Sequence, residues 1–228
     1  MVVAAKEKLP ENTAPDVLSQ EETEQVDKNV LLLAEDDKDM REYLTDSLSS
    51  EYKVISVPDG GKALDMAREI NPDIIISDII MPIIQGDELC RILKSSVETS
   101  HIPVVLLTAL CERENIILGL EAGANDYIIK PFDLSVLKVR LRNILQNRQH
   151  LRDTVLSSDI PVDEVDYSSQ LDKEFLDNAM VSIEENMANP EFSITDFCRA
   201  LGMSRTSVYN KIKTLTGQDL KTLSALCG

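Results

Sequence analysis

The chain has 228 residues and a formal net charge of -17, with 43% hydrophobic residues, an ordinary share for a globular protein. This acidity argues against a general polyanion-binding surface, though it leaves room for a small local basic patch. No run approaches the roughly 18 apolar residues of a membrane span, and no charged-then-apolar leader opens the sequence, so we expect a cytoplasmic segment with no membrane contact.

Four cysteines lie far apart without a CxxC pair, which fits a reduced compartment and excludes zinc spacing. The two histidines, His101 and His150, are too few for a histidine-based metal or catalytic cluster.

Residues 1–28 are polar and acidic, contain Pro10 and Pro15, and read as a flexible linker or tail. From Val30 the pattern changes. Short apolar runs at 30–34, 54–57, 74–76, 104–107 and 127–129 alternate with amphipathic stretches at 40–48, 62–70, 87–93 and 134–145. This alternation predicts βα units and a parallel five-stranded sheet buried on both faces: an α/β, doubly wound (βα)5 domain over 29–148. Ligands then bind outside the carboxyl ends of the strands.

The polar residues at those ends are informative. The first strand runs into Glu35-Asp36-Asp37, the third into Ser77-Asp78, the fourth into Thr108-Ala109 and the fifth into Lys130-Pro131. Singly, an acidic residue after a strand is often a helix cap, and Lys-Pro is a common turn. Together they place three carboxylates, an ammonium and a hydroxyl at one sheet edge. Clustered carboxylates raise one another's pKa values, and Mg²⁺ relieves that repulsion through oxygen ligands. A carboxylate can also be a phosphoryl nucleophile. The metal and the lysine then neutralise the transferring oxygens.

The strings LLLAEDDKDMREYL, PDIIISDIIMP, PVVLLTAL and GANDYIIKPF resemble the receiver domain of bacterial response regulators, which is flavodoxin-like. The resemblance implies that Asp78 accepts phosphate from the phosphohistidine of a histidine kinase. It implies that Asp36, Asp78 and the Ile80 carbonyl hold Mg²⁺, with Glu35 acting mostly through water. It implies that Lys130 pairs with the phosphoryl group and that Thr108 and Tyr127 form the switch. Asp37 and Asp39 fall outside the pocket pattern and are expected to start the first helix. Apolar Ile80 and Leu110 flank the position of the attacking water, so a long-lived phosphorylated state is expected. The switch biases the surface of the fourth helix, fifth strand and fifth helix, and leaves a homodimer through that surface open. The chain is then a phosphoacceptor regulator rather than an enzyme, limited to Mg²⁺-dependent self-phosphorylation and slow autodephosphorylation.

Residues 149–170 read as a second acidic linker, and 171–228 as a small all-α segment. An amphipathic helix over 171–189 is stopped by Asn189-Pro190. Ser193 and Asp196 make a capping box for a helix reaching Leu201. Gly202-Met203-Ser204 forms a turn into another helix running to about Leu215, with Gly217 after it. This is a helix-turn-helix plan. On the second helix, Val208, Ile212 and Leu215 face inward, while Arg205, Thr206, Ser207, Asn210, Lys211 and Lys213 face outward. Arg205 suits guanine, Asn210 adenine, and the lysines phosphates. An ordinary helical hairpin with a solvated basic face is the plainer reading.

LGMSRTSVYNKIKTLTGQ resembles the first half of an AraC-type DNA-binding domain. With the receiver before it, the order is similar to the end of the hybrid two-component regulators of Bacteroides-like bacteria, which commonly control polysaccharide-use genes. The kinase would then lie in the same parent polypeptide. The family domain has a second helix-turn-helix unit that does not follow here. Weak specific DNA binding by this chain is therefore expected; residues 168–228 carry six Lys/Arg against eight Asp/Glu, a net of -2. The alternatives are a phosphorelay or protein-interaction module without DNA binding and a metal-dependent hydrolase, the latter disfavoured because no general base is apparent near the pocket.

Overall fold

A computed structural model describes residues 28–109, 122–157, 169–186, 189 and 191–217, with backbone alone over 151–157. Five short strands alternate with helices: β1 (Val30–Ala34), α1 (Lys38–Leu48), β2 (Lys53–Val57), α2 (Gly60–Ile70), β3 (Ile74–Asp78), α3 (Gly86–Ser95), β4 (Val104–Thr108), β5 (Asp126–Ile129) and α4 (Leu134–Ser157). All neighbouring strands are parallel, in the order β2-β1-β3-β4-β5. This is the expected doubly wound α/β sheet. The segment expected to hold a helix between β4 and β5, with Leu110 in it, lies outside the described residues.

Strand periodicity explains the two cores. Successive side chains point to opposite faces. Leu32, Ala34, Ile75, Val104 and Leu106 pack on one face with Ala63 and Ala67 of α2 and Leu89 and Leu93 of α3. Leu31, Leu33, Ile74, Ile76, Val105 and Leu107 pack on the other, against Leu44 and Leu48 of α1 and Leu137 and Leu141 of α4. Both faces are apolar, so the inner strands read as continuous Val/Ile/Leu runs.

Local chemistry sets the helix ends. Asp37 caps α1, its Oδ1 accepting from the Met40 amide at 2.7 Å, and Asp59 caps α2 through the Lys62 amide at 2.8 Å. Asn71 ends α2 with φ 46°, the left-handed turn that asparagine tolerates. α4 runs to Ser157, past the boundary expected at 148 and into the stretch expected as linker. Residues 149–157 contain neither glycine nor proline, so nothing there interrupts the helix.

Three further helices follow: α5 (Gln170–Asn186), α6 (Ile194–Ala200) and α7 (Arg205–Thr216). Ser193 and Asp196 form the expected reciprocal capping box on α6. Gly202, at φ 66°, makes the turn, and Ser204 caps α7, its hydroxyl accepting from the Ser207 amide. Gly217, at φ 72°, closes α7. Phe175, Ala179, Phe197, Cys198, Val208 and Ile212 form a separate small core.

Candidate functional site

The parallel register brings the strand ends together. Asp78 pairs with Leu107 across β3 and β4, and Thr108 pairs with Ile129 across β4 and β5. Lys130 therefore leaves β5 at the same edge, its amide donating to the Thr108 carbonyl at 2.6 Å.

Lys130 Nζ donates to Glu35 Oε2 at 2.8 Å and to Asp78 Oδ2 at 2.9 Å. The other Asp78 oxygen, Oδ1, accepts from the Ile79 amide at 2.7 Å. Glu35 is 1% exposed and Asp78 8%, while Asp36 is open to solvent. Burial pushes the Glu35 carboxyl up to about 7; the Lys130 hydrogen bond opposes this, and the Asp78 charge adds to it. Burial works to lower the Lys130 pKa, but its bonds to Glu35 and Asp78 outweigh that and raise it.

Glu35, Asp36 and Asp78 each offer an oxygen, and the three oxygens lie within 4.8 Å of one another. An all-oxygen, anionic donor set of this kind suits a hard divalent cation. Ile80 stands two residues beyond Asp78 with its side chain half exposed. Thr108 is fully buried. Tyr127 packs against the β4 face, and its buried hydroxyl has no hydrogen-bond partner among the described residues. An orphaned buried hydroxyl beside the site marks a side chain for which a second position costs little.

Two residues were not singled out by the sequence reading. Arg41 Nη1 donates to the carbonyls of Glu35 and Asp36 at 2.7 and 3.0 Å, fixing the turn that carries both acids. Its position one turn into α1, near the start of the acidic run, was the available signal. Gly86 is the other: a Cβ there would stand 2.1 Å from the Asp78 carbonyl oxygen.

On α7, Arg205 and Thr206 are exposed, as expected. Ser207 and Asn210 are half buried. Lys211 corrects the expectation of an outward-facing side chain: it is 0% exposed. Its ammonium pairs with the equally buried Asp172 and lies 5.2 Å from the centre of the Phe175 ring. Asp172 was also missed, although its spacing with Phe175 and Ala179 puts it on the inward stripe of α5.

Comparison with known proteins agrees with this geometry. Residues 31–142 match the response regulator receiver domain. "Histidine kinase P4" of Formosa agariphila is 38% identical over 209 residues, 91% of this chain but 15% of that protein. "DNA-binding response regulator MtrA" of Mycobacterium tuberculosis is 36% identical over 135 residues, 58% of each chain. The chain thus spans less than two thirds of either relative. Among solved structures, a Francisella response regulator receiver domain is 33% identical with a TM-score of 0.50, covering 54% of this chain and 99% of that one. The signal receiver domain of a Syntrophus aciditrophicus signal transduction histidine kinase is 32% identical with a TM-score of 0.51, covering 58% and 97%. Residues 31–142 therefore belong to the response regulator receiver family, and the chain carries a two-component receiver domain.

Proposed function

We propose that Asp78 accepts a phosphoryl group from a histidine kinase and that the chain relays this signal to transcription. The carrying observation is the Lys130 ammonium held between Asp78 and Glu35 at the strand ends. One Asp78 oxygen is anchored by the Ile79 amide, so the carboxylate is oriented before a phosphodonor arrives. Mg²⁺, held by Asp36, Asp78 and the Ile80 carbonyl with Glu35 behind, would neutralise charge on the transferring group. Lys130 then leaves Asp78 for a phosphoryl oxygen. Thr108 donates to another, and Tyr127 moves into the space that Thr108 vacates; its hydroxyl, without a partner among the described residues, supports this role. Homodimerisation through the β5–α4 side is part of the same reading.

The similarity to a protein named a histidine kinase, over 91% of this chain, supports a hybrid parent in which kinase and receiver share one polypeptide. The 135-residue similarity to a protein named a DNA-binding response regulator supports a transcriptional output. We assign α6 and α7 to an AraC-type helix-turn-helix, with Arg205, Thr206, Ser207 and Asn210 toward DNA, serving polysaccharide-use genes. The setting is cytoplasmic; among the described residues no helix is long and apolar enough to cross a membrane.

Transfer from a phosphorylated histidine domain tests the relay. Label should pass to wild-type protein with Mg²⁺ and not to Asp78→Asn; equal transfer to both contradicts the reading. The half-exposed Ile80 hinders the attacking water, so a phosphoryl half-life of only seconds would contradict a long-lived signal.

A further inference from the structure

The three acids of the pocket are not held alike. Glu35 has its carboxylate on Lys130 and its amide on the Val57 carbonyl at 3.2 Å. Asp78 has one oxygen on Lys130 and the other on the Ile79 amide. Asp36 is exposed, and among the described residues its side chain accepts a single hydrogen bond, from the Asp37 amide at 3.0 Å. Its place is therefore set by the main chain beneath it, and that main chain rests on Arg41. Arg41 Nη1 donates to the Glu35 and Asp36 carbonyls at 2.7 and 3.0 Å, so one nitrogen holds two consecutive peptide units. The frame behind it is firm: Asp37 caps α1, and its carbonyl accepts from the Arg41 amide at 2.9 Å. This half-buried guanidinium follows a run that contains Glu35, Asp36, Asp37 and Asp39, yet among the described residues it pairs with no carboxylate. A guanidinium commonly grips a nearby carboxylate with two nitrogens. Here it holds the turn through carbonyls and leaves the acid oxygens to another cation.

We propose that Arg41 is a positioning residue for the divalent cation: through the two carbonyls it presets the turn on which Asp36 meets the metal beside Glu35 and Asp78. This rests on the Mg²⁺ reading above and deepens it. The oxygens of the three acids lie within 4.8 Å of one another, so their mutual repulsion works to open the turn. Released from Arg41, residues 35 and 36 would be ordered only when the metal binds, and ordering one residue costs roughly tenfold in affinity. Charge works the other way, because a guanidinium near the site repels a divalent ion. That repulsion is partly screened by salt, whereas the ordering cost is not. Preorganisation is therefore the larger effect, and removing Arg41 weakens metal binding.

Calorimetric titration of the metal-free full chain with MgCl₂ tests this. Arg41→Met removes both donor and charge, and Arg41→Lys keeps a charged donor without the fork. Urea midpoints in the presence of a chelator report that each variant folds. Mg²⁺ should bind about tenfold more weakly to Arg41→Met, and Arg41→Lys should recover about threefold of that loss. Labelling of Asp78 by acetyl phosphate should split in the same way. In Arg41→Met the Mg²⁺ concentration for half-maximal rate should rise about tenfold, while the rate at saturating Mg²⁺ should fall by less than about twofold. Equal Mg²⁺ affinity in wild type and Arg41→Met overturns the role of Arg41. So does tighter binding by Arg41→Met, which would make charge repulsion the larger effect, and so does a labelling rate that saturating Mg²⁺ fails to recover. Absence of saturable Mg²⁺ binding by the wild-type chain overturns the Mg²⁺ reading itself, a failure that the wild-type titration shows without any variant.

Discussion

The Lys130 ammonium stands 2.9 Å from Asp78 Oδ2, across 52 residues of sequence. The same ammonium holds Glu35, so two buried acids depend on one cation. Lys130→Met should leave the acids facing each other without compensation and remove a donor to the transferring phosphoryl group. Labelling by acetyl phosphate, followed as rate against donor concentration, should fall by about a hundredfold or more. A loss of less than threefold would show that Lys130 is a spectator.

Glu35 makes stability depend on pH in an unusual direction. Its folded pKa of about 7 lies above the ordinary carboxyl value of 4.5. Between those values the folded chain keeps a proton that the unfolded chain has released. Stability of the metal-free protein should therefore decline as pH rises from about 4.5 to about 7 and change little from this group beyond. Urea unfolding of wild type and Glu35→Gln checks it: the difference between them should shift across that window and flatten above it. Added Mg²⁺ should stabilise wild type most above pH 7, where the acid is ionised.

Gly86 is required by close approach rather than by flexibility. Because a Cβ there would fall 2.1 Å from the Asp78 carbonyl oxygen, Gly86→Ala must move the turn between β3 and α3. We expect a loss of about 1–3 kcal/mol in urea unfolding, with slower Asp78 labelling from the displaced carboxylate. Unchanged midpoint and labelling would contradict the packing described.

Lys211 and Asp172 are both fully buried. Removing one leaves an uncompensated charge, so Lys211→Met should destabilise the α5–α7 unit by about 3–5 kcal/mol. The double change with Asp172→Leu should cost less than the single one, a non-additivity that a double-mutant cycle reads directly. Additive effects would show that the two groups are independent.

The acidic pocket was legible in the sequence because parallel strands carry their last residues to one edge, whatever the loops between them do. Glu35, Asp36, Asp78, Thr108 and Lys130 needed only strand assignment to be brought together. The helix ends were legible for a similar reason, since Asp37, Ser193 and Ser204 act on amides a few residues away. Lys211 was not. Helical spacing placed it beside the inward stripe, and its charge argued for solvent; what buries it is Asp172 on α5 and Ser100 and Val97 on the receiver. A long-range ionic partner leaves no local periodicity to read. The extension of α4 to Ser157 was hidden by composition, because an acidic, serine-containing stretch reads as linker even where no residue breaks the helix.

Whether Asp78 carries the phosphoryl group is decided by incubation with acetyl phosphate and Mg²⁺, followed by peptide mass mapping. One phosphoryl group should be added to the peptide containing Asp78, absent with a chelator and absent in Asp78→Asn. A phosphoryl group on any other residue of the wild-type chain, with Asp78 unmodified, would contradict it.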